Sequence, residues 1–458
     1  MSPKQGCQSR SPLIAPCSCS ADMTIAELIK SIDSETIGRE MYDLIAELFP
    51  ICRSITGNGV RQTLGRLHQL IPLIVHEVPT GTQVFDWTVP REWNIKDAYI
   101  KNSKGEKVVD FQKSSLHVLN YSVPVNKVVS LNELKEHLFT LPDRPDLIPY
   151  KTSYYSENWG FCLSHHQLLA LADGDYEVVI DSTLEEGSLT YGELYLEGEE
   201  EEEVLISCHI CHPSLANDNL SGMSLSALLA KHLAMAVRRY SYRFLFIPGT
   251  IGSITWLSLN EASVDRVKHG LVISGVGDSG RITYKKSRRG DAEIDRAVQH
   301  VLAHCGEPHS IREFHPYGYD ERQYCSPGFN LPVGRLSRTA YGEYPEYHTS
   351  GDNLEFVRPQ SLGRSFSTVL EILQVLEGNR VHRSMNPKCE PQLGKRGLYS
   401  TIGMNELALL WVLNLSDGNH DLLAIAEKSG IAFRDVEQAS DVLIRHHLIA
   451  RNELAGLL

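Results

Sequence analysis

The sequence has no run of eighteen consecutive apolar residues, the length that a helix needs to cross a bilayer, so no membrane span is expected. Residues 1–22 also lack the sustained apolar stretch of a signal peptide, and we predict a poorly ordered extension there. The ten cysteines are scattered and form no regular framework. A reduced, cytoplasmic compartment is therefore the expected location of the protein.

Positive charge is also in deficit, with 44 lysines and arginines against 57 aspartates and glutamates, and a formal net charge of −13. An acidic surface argues against broad contact with nucleic acids or anionic membranes. The 458 residues are too many for one ordinary domain, so two or three domains are expected. With 42% hydrophobic residues, the chain can bury a large core.

Predicted strands, among them the continuous apolar strand Val204–Ser207 and the later strand Leu331–Leu336, alternate with helical segments between residues 203 and 376. Such strands are buried on both faces, so the pattern predicts an α/β fold with helices on either side of a sheet. Residues 85–185 instead contain short β-like runs and are predicted to form a small β-rich insert. The predicted units are the extension at 1–22, an α/β domain at 23–84 and 186–380, the insert at 85–185 and a C-terminal domain at 395–458.

The C-terminal residues 402–458 contain helical segments around a turn at Gly430, after a polar stretch at 380–398 that is predicted to be a linker. Two helices joined by a short Gly-containing turn are typical of the helix-turn-helix motif. The second helix carries two arginines and three carboxylates, namely Arg434, Arg445, Asp435, Glu437 and Asp441. A helix that enters the major groove of DNA needs the opposite balance, so we expect docking or self-association, as in a homo-oligomer, rather than DNA binding.

The densest group of metal-capable side chains is CHICHPSLANDN at 208–219, between a buried strand and a helix predicted to begin near Ser221. Active sites of open α/β sheets lie at the carboxyl ends of the strands. His209 is therefore expected to project from a strand end, and Asp218 to lie just before a helix N-terminus, which stabilises its charge. The alternative is that Asp218 only caps the helix and that His209 is a buried core histidine.

A second cluster, PEYHTSGDN, follows the strand Leu331–Leu336 and contains His348. Its neighbours Tyr347 and Asp352 are placed to fix the histidine ring by hydrogen bonds, as the partners of metal-bound histidines do. Two histidines and one carboxylate, each from a different strand end, are a ligand set that suits Zn²⁺.

Several motifs of the sequence resemble those of a known enzyme family. ANDNLSG at 216–222 and HTSGD at 348–352 resemble motifs of the zinc-dependent aminopeptidases, which include bacterial leucyl aminopeptidases and the related glutaminyl cyclase. ICRSITGNGVR at 51–61 and HICHPSLANDN at 209–219 resemble more closely a bacterial branch of this family that is linked with surface-polysaccharide gene neighbourhoods. The match covers most of the chain.

The resemblance implies a zinc-aminopeptidase-like (phosphorylase/hydrolase-like) three-layer sheet with an inserted small β domain and a C-terminal winged helix. It also implies that His209, Asp218 and His348 hold zinc. The implied activity is that of a metal-dependent hydrolase, which cleaves an amide bond next to a free amine in a small peptide or other amide-bearing substrate.

The sequence departs from the family pattern at positions that matter for catalysis. Cys211 stands where the family has the aspartate of its H-x-D motif, and Gly249 stands where the branch has a glutamate. Gly275 occupies the approximate place of a further family carboxylate, with Asp278 nearby. Because these carboxylates are missing, one zinc ion is expected rather than a pair.

Without a glutamate at position 249, the general base is either missing or supplied by Glu321 or Asp320. Two other functions therefore stay open. A relative that has lost catalysis would bind a ligand in the same cleft and act in surface-polysaccharide biosynthesis. A transcriptional regulator would act through the winged helix.

Four further side chains are candidates for binding the substrate. Arg288 and Arg289 can anchor a carboxylate or a phosphate, although two adjacent arginines are also common on solvated surfaces. His212 and Tyr347 adjoin the predicted metal ligands in sequence and are expected to lie beside them. The alternative for His212 is that it is itself a metal ligand.

Overall fold

The computed structural model describes residues 23–398 and 405–451. The predicted extension at 1–22 lies outside these residues, as do 399–404 and 452–458 of the predicted C-terminal unit. Within the described ranges, none of the helices combines the length and the apolar character needed to cross a membrane.

Helices and strands alternate along most of the described chain. The helices are α1 (Ile25–Ser31), α2 (Ser34–Leu48), α3 (Asn58–His68), α4 (Leu131–Lys135), α5 (His165–Leu169), α6 (Gly222–Leu233), α7 (Ile251–Asn260), α8 (Glu293–His304), α9 (Glu321–Tyr324), α10 (Pro359–Gly378), α11 (Glu406–Leu415), α12 (Leu422–Ser429) and α13 (Phe433–Arg445). The strands are β1 (Ile74–Pro79), β2 (Gln83–Val84), β3 (Trp87–Thr88), β4 (Glu92–Lys101), β5 (Lys107–Asp110), β6 (Val125–Ser130), β7 (Leu138–Phe139), β8 (Phe161–Cys162), β9 (Asp175–Glu185), β10 (Ser188–Leu196), β11 (Glu203–His209), β12 (Ser241–Ile247), β13 (Val267–Ile273), β14 (Ile282–Lys285), β15 (His309–Arg312), β16 (Val333–Ser337), β17 (Val381–Ser384), β18 (Asp417–Asp421) and β19 (Ile449–Arg451).

Eight strands form one central sheet in the order β1–β10–β12–β11–β13–β16–β14–β15. Its middle strands β12, β11, β13 and β16 run parallel to one another. Alternate residues of β12 enter two different cores, with Phe244 and Phe246 on one face and Leu245 and Ile247 on the other. Because both faces of such a strand are covered, its sequence is apolar throughout, and the predicted α/β fold is confirmed.

One face of the sheet is covered by α2, α6, α8 and α10, and the other by α7 and the β-rich insert. Helices α2 and α10 approach closely at Gly38, where an added Cβ would lie 2.1 Å from the carbonyl oxygen of Pro359. A side chain at this position would therefore push the two helices apart. The result is a three-layer arrangement around the sheet.

The insert is built on a second sheet of four strands in the order β5–β4–β9–β6. The chain then leaves the insert through β10, which joins the central sheet between β1 and β12. A segment of the insert also reaches the loop after β16, because Pro149 forms an isolated β-bridge with Thr349. The insert is thus attached at the edge of the sheet at which the parallel strands end.

The C-terminal unit combines α11, α12 and α13 with a three-stranded sheet in the order β18–β17–β19. Its central strand β17 lies inside the polar stretch 380–398 that the sequence predicted to be a linker. Only the first of its four residues, Val381, is aliphatic, so the strand has no apolar alternation that sequence could reveal. The three helices and the small sheet form the expected winged helix.

The winged helix packs on the α/β domain through α13. The side-chain amide of Gln374 on α10 donates a 2.6 Å hydrogen bond to Glu437, and the backbone N–H of Phe433 donates to Nε2 of His300 on α8 at 3.0 Å. Phe433 also belongs to the same core as the central sheet. The first half of α13 is therefore engaged inside the molecule.

We predict a pH-dependent stability that originates at Glu437. Burial raises the pKa of Glu437 to about 7, with the hydrogen bond from Gln374 opposing the shift. The folded chain keeps this carboxyl protonated at pH values where the unfolded chain ionises it, so the free energy of unfolding should fall as pH rises from about 4.5 to about 7. Glu437→Gln should remove the contribution of this carboxyl to the fall in the free energy of unfolding. The variant should be more stable than the wild-type chain at pH 8 by about 1–2 kcal/mol, a range lowered because solvent screens a partly exposed side chain.

Urea unfolding between pH 4.5 and 8.5 would measure the effect. Glu197→Gln, at an exposed glutamate, is the matched control and should leave the pH profile unchanged. Identical profiles for the wild-type chain and Glu437→Gln would contradict the assignment.

Candidate metal centre

His209 ends β11 in the middle of the central sheet. It is fully buried, and its Nε2 lies 2.9 Å from Oδ1 of Asp218. On the opposite edge of the ring, the amide nitrogen of Asn219 lies 3.4 Å from Nδ1. The ring of Tyr319 stacks on the imidazole with centroids 4.5 Å apart. These contacts fix the orientation of the ring, with Nε2 directed at Asp218.

Asp218 lies in the buried turn Ala216–Ser221 that leads into α6. Its second oxygen, Oδ2, accepts a 2.7 Å hydrogen bond from the hydroxyl of Tyr319 and lies 3.0 Å from Nε2 of His348. The backbone N–H of Asp218 donates to Asp352 at 2.9 Å. A single carboxylate is therefore shared by two histidines, one at the end of β11 and one in the loop after β16.

His348 follows β16 and adopts a left-handed backbone conformation with φ +52°. The backbone N–H of Tyr150 donates a 2.7 Å hydrogen bond to its carbonyl, and its ring stacks on Tyr347 with centroids 4.0 Å apart. Its side chain is 31% exposed, whereas those of His209 and Asp218 are 0% and 3% exposed. The cluster therefore opens towards solvent on the His348 side.

His212 completes the group of metal-capable side chains. The ligand atoms of His209, His212 and Asp218 all lie within 4.8 Å of one another, and the ring of His212 is 5.2 Å from that of His348. Two triads are thus available, which share His209 and Asp218 and differ in the third residue. Nε2 of His348 contacts the shared carboxylate at 3.0 Å, and this contact is the observation that favours His348 as that third residue.

The ionisation of the cluster suits a cation. Burial opposes the charge on Asp218, but the neighbouring His212 and His209 outweigh it and hold the pKa of this carboxyl well below its usual value. Burial also lowers the pKa of His212 and so disfavours a charged ring there. Asp352 differs, because burial raises its pKa to about 8 even though the backbone N–H of Asn217 donates to it. Two imidazole nitrogens and one carboxylate oxygen form a donor set that fits Zn²⁺.

The loop after β12 places Gly249 beside the cluster. A Cβ at this glycine would lie 3.5 Å from Cβ of His209 and 3.6 Å from Sγ of Cys211, both ordinary contact distances. Its backbone N–H donates to Cys211 Sγ at 3.2 Å. A side chain at position 249 would therefore have room and would start towards the histidine.

Asp320 and Glu321, the two predicted candidates for the general base, have different partners although they are adjacent in sequence. Oδ1 of Asp320 accepts hydrogen bonds from the backbone of Thr250 at 2.7 Å and the hydroxyl of Ser253 at 2.8 Å, while its buried Oδ2 has no partner among the described residues. Burial raises the pKa of Asp320. Glu321 instead forms a buried ion pair with Lys285 at 2.8 Å, so its charge is already neutralised.

The remaining candidates fall into two groups. Tyr347 lies within the cluster, and its hydroxyl is 2.9 Å from that of Tyr319. Arg288 and Arg289 instead donate to Asn330 in exposed hydrogen bonds of 3.0 and 2.9 Å. This agrees with the alternative interpretation of the sequence, in which the two arginines form a solvated surface pair. Of these three candidates, only Tyr347 therefore lies near Asp218, whereas Arg288 and Arg289 bind a surface loop.

Two side chains beside the cluster were not singled out from the sequence. Tyr319 hydrogen-bonds Asp218 and stacks on His209, and its position next to Asp320 was an available signal. Arg335 is 98% buried in the sheet, and its signal was an arginine within an otherwise apolar strand.

Cys208 and Cys211 have Cys-x-x-Cys spacing, but they do not form a redox pair. Both are free thiols, and they pack into the two different cores on opposite faces of the sheet. Burial raises the pKa of the Cys211 thiol to about 12. Cys211 therefore stays protonated beside the cluster.

Comparisons with known proteins agree with this architecture. A protein of Clostridium acetobutylicum, provisionally named a polysaccharide biosynthesis protein with an aminopeptidase-like domain, is 56% identical over 423 residues, which are 91% of this chain and 97% of the relative. The crystal structure of a provisionally named peptidase from C. acetobutylicum has 55% identity and a TM-score of 0.90, and the alignment covers 93% of this chain and 99% of that one.

More distant structures show the fold. BSAP, a zinc aminopeptidase from Bacillus subtilis, has a TM-score of 0.54 at 13% identity, over 74% of this chain and 94% of that one. The aminopeptidase-like fold implied by the sequence motifs is thus confirmed. Residues 380–451 match the winged helix-turn-helix family, which confirms the C-terminal winged helix. Residues 42–379 match the model described as a domain of unknown function (DUF4910), and the chain belongs to that family.

Proposed function

We propose that this protein is a zinc-dependent hydrolase of the aminopeptidase type, which cleaves an amide bond next to a free amine in a small peptide or other amide-bearing substrate. The observation that carries the proposal is the convergence of His209 and His348 on the carboxylate of Asp218, at the end of the sheet in an aminopeptidase-like fold. A bound zinc ion would supply Lewis acidity, which polarises a carbonyl and acidifies water.

The residues around the proposed ligands would orient the substrate and the metal site. Tyr319 holds Oδ2 of Asp218 through its hydroxyl, and Tyr347 presents its own hydroxyl beside it on the open side of the cluster. Tyr347 is therefore suited to donate a hydrogen bond to a substrate carbonyl. The buried surroundings of His209 exclude water from one side of the site.

In the described part of the chain, the site lacks an obvious general base to accept the proton of the attacking water. Gly249 has no side chain, and Glu321 is already paired with Lys285. Asp320 keeps one buried oxygen without a partner among the described residues, and burial raises its pKa, which makes its carboxylate a stronger proton acceptor. We therefore propose that Asp320 provides a residual base and that turnover is low.

A second candidate function is a relative without catalysis that binds its ligand in the same cleft. Gly249 is the observation that favours it, because the glycine removes a carboxylate from the loop that faces His209. The name of the C. acetobutylicum relative supports a place in polysaccharide biosynthesis for either function.

For the winged helix we propose a docking role rather than DNA binding. Phe433 and Glu437 on α13 contact α8 and α10, so part of the helix that would enter a DNA groove is already buried. This support adds to the acidic balance of the same helix.

Purified protein is expected to hold about one zinc ion per chain, because the two possible triads share His209 and Asp218 and therefore form a single site. The double change His209→Ala and His348→Ala should abolish zinc binding, whereas His309→Ala, at an exposed histidine outside the cluster, should leave it intact. Elemental analysis after dialysis measures the content. His212→Ala decides between the two triads, since it should retain zinc if His348 is the third ligand.

Two or more zinc ions per chain, or full zinc retention by the double variant, would contradict this ligand assignment.

Peptidase activity is expected to be weak, and Gly249→Glu is expected to increase kcat, by up to roughly 10²–10⁴-fold, the usual range for general-base catalysis. The measurement is release of p-nitroaniline from amino-acid p-nitroanilides by zinc-loaded protein. Gly328→Glu is the matched control, because a side chain at Gly328 meets no atom within 4 Å.

Two further variants separate the base candidates. Asp320→Asn should lower the residual rate, and Glu321→Gln should change it little once any loss of stability from the broken Lys285 pair is corrected. If the wild-type chain is instead robustly active and Glu321→Gln lowers kcat about a hundredfold, Glu321 is the base and the assignment to Asp320 fails.

The full chain is expected to show no salt-sensitive, submicromolar complex with duplex DNA. Gel-shift titrations with mixed genomic fragments at 50 and 200 mM salt would test this, because phosphate contacts weaken steeply over that range. A tight complex that is lost at the higher salt concentration would favour the regulator function.

A further inference from the structure

Arg335 is the most unusual charged residue near the proposed metal centre. It lies in β16, between β13 and β14, and is only 2% exposed. Its Nε and Nη1 are buried and have no hydrogen-bond partner among the described residues. Burying guanidinium N–H groups without acceptors costs free energy, so the arrangement points to an acceptor that comes from outside the chain.

Arg335 is held in place by aromatic rings rather than by a carboxylate. Its guanidinium carbon lies 4.5 Å from the ring centre of Tyr341 and 6.0 Å from that of Tyr319. Such cation–π contacts orient the planar group without supplying an acceptor to its Nε and Nη1. Tyr319 also hydrogen-bonds Asp218, so one tyrosine adjoins both the arginine and the proposed zinc ligand.

Two neighbouring cavities meet at Arg335. The inner one is narrow and is lined by Asp218, Tyr319 and Tyr347 as well as Arg335. The outer one has a volume of about 300 Å³ and is lined by Lys285 and Arg312, again with Arg335. Tyr341 lines both cavities, so the arginine and this tyrosine stand where the outer cavity adjoins the inner one.

The other charges of the outer cavity are already balanced. Arg312 makes two hydrogen bonds with Glu343 at 2.6 and 2.7 Å, and Lys285 is paired with Glu321. Glu313, also at this cavity, is paired with Lys286. His315 adds a further nitrogen base to the wall. Arg335 is therefore the cation that still has donors to offer in this pocket.

We propose that Arg335 anchors an anionic group of the substrate, a carboxylate or a phosphate, in a subsite that adjoins the metal centre. The identity of the ligand as a substrate rests on the proposed hydrolase function, whereas the anion site itself does not. A planar guanidinium binds either group with two parallel hydrogen bonds, and tyrosine hydroxyls can add further donors. The anchor role considered for Arg288 and Arg289 thus belongs to Arg335.

The subsite narrows the class of substrate. The proposed reaction requires a free amine beside the scissile amide, and the subsite requires an acidic substituent on the same molecule. An acidic aminoacyl compound or a phosphorylated amide satisfies both conditions, whereas a simple apolar dipeptide satisfies only the first. The charge of Arg335, unpaired within the described ranges, also gives an overall acidic protein a means to attract an anion.

Isothermal titration of the full-length, zinc-free chain with inorganic phosphate and with glutarate tests the subsite directly. We expect saturable binding of at least one anion, and the preferred one identifies the group as phosphate or carboxylate. Arg335→Met should weaken that binding by about tenfold to a hundredfold, the range for hydrogen bonds to a charged group. Arg288→Met is the matched control and should bind like the wild-type chain.

Unfolding measurements without anion separate a ligand-binding role from a structural one. If Arg335 awaits a ligand, Arg335→Met should unfold at the same denaturant midpoint as the wild-type chain or at a higher one, because buried unpaired N–H groups are removed. Three results would overturn the proposal: no saturable binding of either anion to the wild-type chain, unchanged binding to Arg335→Met, or a lower midpoint for Arg335→Met.

Repeating the titrations with zinc-loaded chain shows whether metal and anion bind together. Because the first titrations contain no zinc and measure no turnover, failure of the hydrolase proposal would leave their result intact. Loss of the anion site would likewise leave the zinc content unaffected.

Discussion

The negative charge of Asp218 must be kept in an almost fully buried position, and much of the surrounding structure serves this requirement. A buried carboxylate is costly unless donors surround it. His209 reaches it from a strand end and His348 from a loop, while Tyr319 donates to the same oxygen as His348. Asp352 in turn binds the backbone of the Asp218 turn. The parallel centre of the sheet brings these distant segments to one edge.

The fold, and the convergence of His209, Asp218 and His348, could be predicted because they depend on features that sequence carries directly. Continuous apolar strands indicated a sheet covered on both faces, and short motifs marked His209, Asp218 and His348 at the ends of strands. The sequence named His348 rather than His212 as the third partner, but sequence alone could not exclude His212. Both histidines adjoin the cluster, and only their distances to the other ligand atoms distinguish them.

The roles of the base candidates and of the buried arginine could not be predicted, because they depend on the directions in which side chains point and the sequence does not specify these directions. Asp320 and Glu321 are neighbours, yet one faces the loop after β12 and the other faces Lys285, because the short helix that begins there turns them to different sides. Adjacent arginines at 288 and 289 drew attention by their charge, while the single Arg335 was concealed within an apolar strand. The aminopeptidase-like scaffold is therefore easier to infer than its specificity.

The backbone of His348 is shared between two parts of the molecule. Its carbonyl accepts a hydrogen bond from Tyr150 of the insert, and Thr349 next to it bridges to Pro149. Any displacement of the insert relative to the sheet would thus move a proposed zinc ligand. Thermodynamic linkage then makes the two events reciprocal: a partner that binds the insert and shifts it would change the affinity for zinc by the same factor by which zinc changes the affinity for that partner.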